Sequence, residues 1–169
     1  MRVPAGGDSF LWRVSVAHIE SSGPFSDFAG YSRSMVLLRG LGLALKFGNG
    51  EQCVLRKIGD SVEFDGSTPT HCDLLQGPCV DLNLMVSKSL RAEARVARLD
   101  ESLTVHASRE SALIFSVEAP LLLDGDAGEP VRLEPWDLAM FSQGTVRLSR
   151  IEPEPLSAPS AVFFATISH

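Results

Sequence analysis

The sequence predicts an all-β protein, a sandwich or barrel of short strands. Three observations predict it. Apolar residues alternate with polar ones in short runs such as "FLWRVSVAHI" and "VDLNLMV", the period of a strand. Gly, Pro and Asp punctuate these runs along the chain, the spacing of sandwiches and barrels. Only "SKSLRAEARVARL" (residues 87–99) has the Ala, Arg and Glu content that favours a helix.

The elements follow in order. In "FLWRVSVAHI", Trp12, Val14 and Val16 share one face and Arg13, Ser15 and Ala17 the other, so it reads as a strand. Gly23-Pro24 is a turn signal and Gly30 closes the loop that follows. "SMVLLRGLGLALKF" is apolar but broken by Gly40 and Gly42; glycine is costly inside a helix, so two short strands are expected. "GNGE" (residues 48–51) is a hairpin turn of the Asn-Gly kind. "CVLRKI", "SVEF", "HCDLL" and "VDLNLMV" are further strands. "SKSLRAEARVARL" is read as a loop or helical turn followed by a strand. "ALIFSV", "PLLLDG", "DLAMFS", "TVRLSR" and "AVFFATI" complete the set, with "EPEPLSAPS" a Pro-rich loop before the last.

A shift of 77 residues lays Ser34-Met-Val-Leu-Leu over Ser111-Ala-Leu-Ile-Phe and Asp60-Ser-Val-Glu-Phe over Asp137-Leu-Ala-Met-Phe. The chain then consists of two copies of one small β unit.

Bulk properties exclude several classes. The 169 residues suffice for one domain with a real core. Hydrophobic residues make up 44% and charged residues 21%, an ordinary globular balance. The net charge of −6, without a basic block, argues against nucleic acid as a partner. No apolar run approaches the roughly 20 residues a membrane helix needs, and "MRVPAGGDSF" has no apolar signal segment. No membrane partner is therefore expected. Three cysteines, Cys53, Cys72 and Cys79, without a CxxC pair fit a reducing cytoplasm.

The chemistry-bearing residues are few. His18, His71, His106 and His169 show no HxH, HxxxH or HExxH spacing, so neither a metal nor another cofactor is expected. There is no G-x-S-x-G elbow, and "GLGLAL" lacks the frame of a phosphate loop. No catalytic residue is assigned. What remains is a polar set on strands: Arg13 with Ser15, Arg33, and Asp81 with Asn83. Arginine forks could hold a small carboxylate, oriented by an amide and a hydroxyl. Arg13 and Asp81 could equally form a cross-strand ion pair on a wet face, worth little.

Several words in order resemble the HutD/Ves family of bacterial proteins. They are Trp12, Arg13 and Ser15; Gly23, Pro24, Phe25, Ser26, Phe28 and Gly30; Leu38, Gly40, Gly42 and Leu45; Phe64 and Gly66; and Leu75, Gly77, Pro78, Asp81, Leu82, Asn83 and Met85. They span residues 12–86, half the chain; beyond them the likeness is carried by Pro135-Trp136-Asp137 and the closing strands. The resemblance implies a cupin-type double-stranded β-helix with two barrel lobes, a bicupin, the first over residues 10–90 and the second over 91–169. It also implies an accessory or regulatory role in histidine utilisation. The family's Trp-x-Asn-Gly-Gly-Gly segment has at most a remnant in "PAGGDSF", which implies a missing edge strand or pocket wall. Ser32 stands where the family often has Asp, and Lys88 alone remains of the arginines that follow the Asn-x-Met word.

The expected function is binding of a small carboxylate intermediate, such as an acylated glutamate. Arg13 and Arg33 meet carboxylates, Ser15 and Asn83 orient the ligand, and Trp12, Phe25 and Met85 form walls. Asp81 is expected to be structural, in a salt bridge or a turn anchor. One alternative is a metal-independent isomerase or hydrolase with Asp81 or Glu63 as base. Another is a structural module, a homodimer through an exposed edge strand.

Overall fold

The computed structural model describes residues 1–6, 9–100, 102–107, 111–126, 128–151 and 160–168. Among them there is no helix, and so none long and apolar enough to cross a membrane. The chain divides into two compact units, Met1–Leu90 and Arg91–His169.

The first unit holds β1 (Arg2–Gly6), β2 (Ser9–Ile19), β3 (Gly23–Pro24), β4 (Tyr31–Arg39), β5 (Leu43–Phe47), β6 (Gln52–Leu55), β7 (Ser61–Asp65), β8 (Thr70–Leu74) and β9 (Cys79–Ser87). They form two antiparallel sheets, ordered β1-β2-β9-β4-β7 and β3-β8-β5-β6. Neither sheet closes on itself. Met35, Leu37, Leu43, Leu45, Leu55, Cys72 and Cys79, drawn from both sheets, make one apolar core. Each fully buried leucine there stabilises by roughly 1.5–3 kcal/mol.

The second unit holds β10 (Arg91–Leu99), β11 (Ser102–Ala107), β12 (Ser111–Ser116), β13 (Leu121–Gly125), β14 (Val131–Leu133), β15 (Leu138–Phe141), β16 (Gly144–Arg150) and β17 (Ser160–Ser168). Its sheets run β10-β17-β12-β15 and β11-β16-β13-β14. This is the pairing order β2-β9-β4-β7 and β3-β8-β5-β6 over again.

One turn repeats in atomic detail. Before β7, Asp60 accepts from the Lys57 N–H through its carboxylate at 2.9 Å and donates its own N–H to the Lys57 carbonyl. Before β15, Asp137 makes the same two bonds with Glu134. The residue preceding the aspartate has positive φ in both, 85° at Gly59 and 73° at Trp136. A tryptophan is thus held in a backbone region that glycine enters freely.

Several elements differ from the sequence expectation. Gly23-Pro24 is no free turn but a two-residue strand, with Gly23 opposite Cys72 and Pro24 opposite His71. Pro24 has no N–H to give and is tolerated at that sheet edge. The outer place beside β2 is filled by β1. "SKSLRAEARVARL" becomes a turn and then β10, because nine residues pair with β17 and pairing overrides helix propensity. β1, β11 and β14 had no expectation. The Pro-rich segment lies outside the described residues from 152 to 159, and Ser160 already opens β17.

Candidate functional site

β9 is buried along eight of its nine residues, Cys79 to Val86. Its even residues, Val80, Leu82, Leu84 and Val86, are apolar; its odd face carries Asp81, Asn83 and Met85. That odd face is the inner one, because Cys79 lies on it and belongs to the core between the sheets. Antiparallel register sets three rows across it. Met85 stands between Arg13 on β2 and Arg33 on β4, and Arg33 in turn opposes Phe64 on β7. Asn83 stands between Ser15 and Met35, and Asp81 between Ala17 and Leu37.

The polar groups are nearly sealed from water. Relative exposure is 1% for Asp81, 5% for Asn83 and 5% for Arg33. The wet-face ion pair between Arg13 and Asp81 is therefore ruled out. Instead a Arg33 terminal N–H donates to the Asn83 Oδ1 at 2.9 Å, and Asn83 Nδ2 donates to the Asp81 carboxylate. Asn83 is oriented by its neighbours: oxygen towards the cation, nitrogen towards the anion. Asp81 lies mid-strand rather than at a turn, and among the described residues it makes no direct ion pair.

Burial dominates the electrostatics. It pushes the Asp81 carboxyl up to about 7, with Arg33 and the hydrogen bonds from its own N–H and Asn83 pulling it back. It likewise lowers the Arg33 guanidinium, against the attraction of Asp81 and together with repulsion from Arg13. Because Asn83 separates the two charges, their attraction does not cancel the cost of leaving water.

A ring of phenylalanines encloses the cations. The Arg33 guanidinium lies 4.8 Å from the Phe64 ring centre, 5.3 Å from Phe25 and 5.5 Å from Phe28. Arg13 lies 5.0 Å from Phe28 and 5.2 Å from Phe10, which stacks on Tyr31 at 4.3 Å. A terminal N–H of Arg13 also reaches Met85 Sδ at 3.3 Å. Phe28 thus caps both guanidiniums. Its loop is pinned by Phe25 N–H to the Thr70 carbonyl and by Phe28 N–H to the Gly66 carbonyl. Gly66 has to be glycine for this approach: a Cβ there would sit 2.5 Å from the Phe28 carbonyl oxygen.

After all these contacts the Nε–H groups of both Arg13 and Arg33 remain buried without a hydrogen-bond partner among the described residues. A buried unpaired donor is costly, the more so on a cation. A groove of about 440 Å³ opens nearby, lined by Phe25, Lys46, Phe47, Thr70 and His71 among others. It shares Phe25 with the cluster but is not lined by either arginine or by Asn83. The unpartnered cationic donors, not this groove, make the cluster the candidate site.

Of the residues expected from sequence, Arg13, Arg33, Asn83, Met85 and Phe25 are brought together, with Ser15 opposite Asn83. Trp12 is not. It is 3% exposed but pairs with Val86 on the other face of β2, so it forms no wall here. Glu63 opposes Ser34 on that same outer side, exposed and away from Asn83. Phe10, Phe28, Tyr31 and Phe64 were not assigned to the site; of these, Phe28 and Phe64 carried a signal, as residues of the family words, without a role attached. Among the described residues no three His, Cys, Asp or Glu side chains gather as a metal-ligand set.

The model of the HutD family matches residues 1–155. An uncharacterised 21.2 kDa protein in the hutC 3′ region of Pseudomonas putida is 33% identical over 132 residues, covering 78% of this chain and 68% of that one. A crystal structure of a conserved protein of unknown function from Pseudomonas aeruginosa PAO1 superposes with TM-score 0.86 at 30% identity, over 100% of this chain and 87% of that one. HutD from Pseudomonas fluorescens SBW25 gives 0.78 at 26% identity, over 99% and 85%. The salicylate 1,2-dioxygenase from Pseudoaminobacter salicylatoxidans, at 10% identity and TM-score 0.65 over 92% and 70%, shares the fold alone. The fold is cupin-type.

Proposed function

From the chain's membership of the HutD family, we propose that it is a binding protein for a small carboxylate, held by the Arg13–Arg33 pair. The observation that carries this reading is the pair of buried, unpartnered guanidinium Nε–H groups. Each arginine offers a charged donor for which the described residues provide no acceptor, and carboxylates match guanidinium forks. Ser15 and Asn83, opposite one another in register, orient the ligand. The name of the P. putida relative, in the hutC 3′ region, supports an accessory role in histidine utilisation. A second copy of the chain through an open sheet edge remains the structural alternative.

The test is thermal unfolding of wild type and Arg33→Met with histidine, urocanate, formylated glutamate, glutamate and glutarate. Arg33→Met leaves Asn83 Oδ1 and Asp81 without their cation, so the variant melts below wild type and each protein's shift is read against its own ligand-free baseline. Wild type gains stability with a carboxylate, about 2.7 kcal/mol at 100 times its dissociation constant, and the variant gains none. Equal shifts in both proteins would refute the site.

One observation favours an enzymatic second reading: a buried carboxyl at about 7 suits a general base. Turnover of a candidate intermediate, lost in Asp81→Asn with binding retained, would establish it.

A further inference from the structure

The following rests on the carboxylate-binding reading and adds a chemical condition to it. The charges facing one another across the interior are Arg13 from β2, Arg33 from β4 and Asp81 from β9. Other titratable groups nearby are the thiols of Cys72 on β8 and Cys79 on β9 and the phenol of Tyr31 on β4, stacked on Phe10 beside Arg13. Burial pushes the Cys72 thiol up to about 11, which keeps it neutral near pH 7. β7 contributes Phe64 and β5 contributes Leu43 and Leu45.

With Asp81 ionised this interior holds one net positive charge. A monocarboxylate brings it to neutrality. A dicarboxylate overshoots to one net negative charge, out of water, where an uncompensated charge is expensive. One proton on Asp81 removes the excess. Asp81 is the group placed to accept it. It is 1% exposed, it makes no ion pair among the described residues, and its partner Asn83 can still donate to the carbonyl oxygen of the neutral acid. We propose that the site takes up a dicarboxylate together with one proton, and that Asp81 is where the proton resides. The proton comes from solvent and only an O–H bond forms. Burial already places Asp81 near the point of protonation, at about 7, so the coupling operates around neutral pH.

The experiment is calorimetric titration of the full chain with glutarate and with propionate. It spans about pH 6.5 to 9, where these carboxylates stay ionised, in two buffers of different ionisation enthalpy. For glutarate the affinity is level below about pH 7 and falls about tenfold per pH unit above it, with close to one proton taken up at pH 8. Propionate shows a smaller uptake and a shallower slope. Asp81→Asn, whose amide takes up no proton, binds glutarate with no pH slope and no proton uptake. Glutarate binding without proton uptake overturns the coupling and leaves the carboxylate site standing. Uptake that persists in Asp81→Asn overturns the assignment to Asp81. Absence of binding by either acid overturns both readings. If the variant fails to fold, the wild-type buffer comparison still decides whether a proton is taken up.

Discussion

The two units repeat one topology around opposite kinds of interior. Matching the strand registers puts Ala112 where the first unit has Arg33, Val162 where it has Asp81 and Phe164 where it has Asn83. Phe141 opposes Ala112 as Phe64 opposes Arg33. Ala112, Ile114 and Val162 belong to a continuous apolar core, with Phe141 and Phe164 packed against it. The second unit has a groove too, about 420 Å³, but it is lined by Leu123, Val131, Met140, Phe141 and other largely apolar side chains. The fold therefore needs no buried charge at these positions. The first unit holds a guanidinium, an amide and a carboxylate there, Arg33, Asn83 and Asp81, at a desolvation cost that apolar side chains would avoid. A cost the architecture does not require points to a role outside folding.

The largest expected effect comes from giving the first unit the second unit's residue. Asn83→Phe strips Arg33 and Asp81 of their shared partner and adds bulk, and should destabilise by about 3–5 kcal/mol in urea unfolding. Next is pH. A carboxyl raised to about 7 in the fold and ordinary when unfolded binds more protons folded than unfolded between about pH 4 and 7. Stability therefore falls as pH rises through that window, by on the order of 2–4 kcal/mol, and is level above it. Asp81→Asn should flatten this dependence and be the more stable protein at pH 8. Smaller is Gly66→Ala, which forces a Cβ against the Phe28 and Tyr31 carbonyls and costs about 1–3 kcal/mol. Faster hydrogen exchange at the Phe28 amide, bonded to Gly66, would accompany it. Smallest is Gly59→Ala at the repeated turn, about 1 kcal/mol for the positive φ.

Much of the site was legible because strand alternation is a strict period. It put Arg13 with Ser15 and Asp81 with Asn83 before any coordinates. The same rule also told against Trp12, which sits one residue from Arg13 and so must face away. Alternation does not say which face is dry, and the burial of Asp81 on a strand covered on both faces became visible only with the second sheet in place. Phe28 was illegible because its role depends on a loop returning over two strands, fixed by Gly66 far along the chain. The internal repeat was legible in outline. A uniform shift of 77 fits Gly59 and Trp136, but the register places Arg33 over Ala112, two residues beyond it. Insertions between strands break the constant offset while pairing order survives. β3 and β14, of two and three residues, are too short to carry a period at all.

The most direct test of the account is to watch the two Nε–H groups themselves. Nitrogen-15 spectra of the arginine side chains, recorded while glutarate is titrated into wild-type protein, report each donor separately. The account predicts that the Arg13 and Arg33 resonances move together and saturate at one dissociation constant. Unmoved arginines, with shifts confined to Lys46 and His71 in the neighbouring groove, would contradict it.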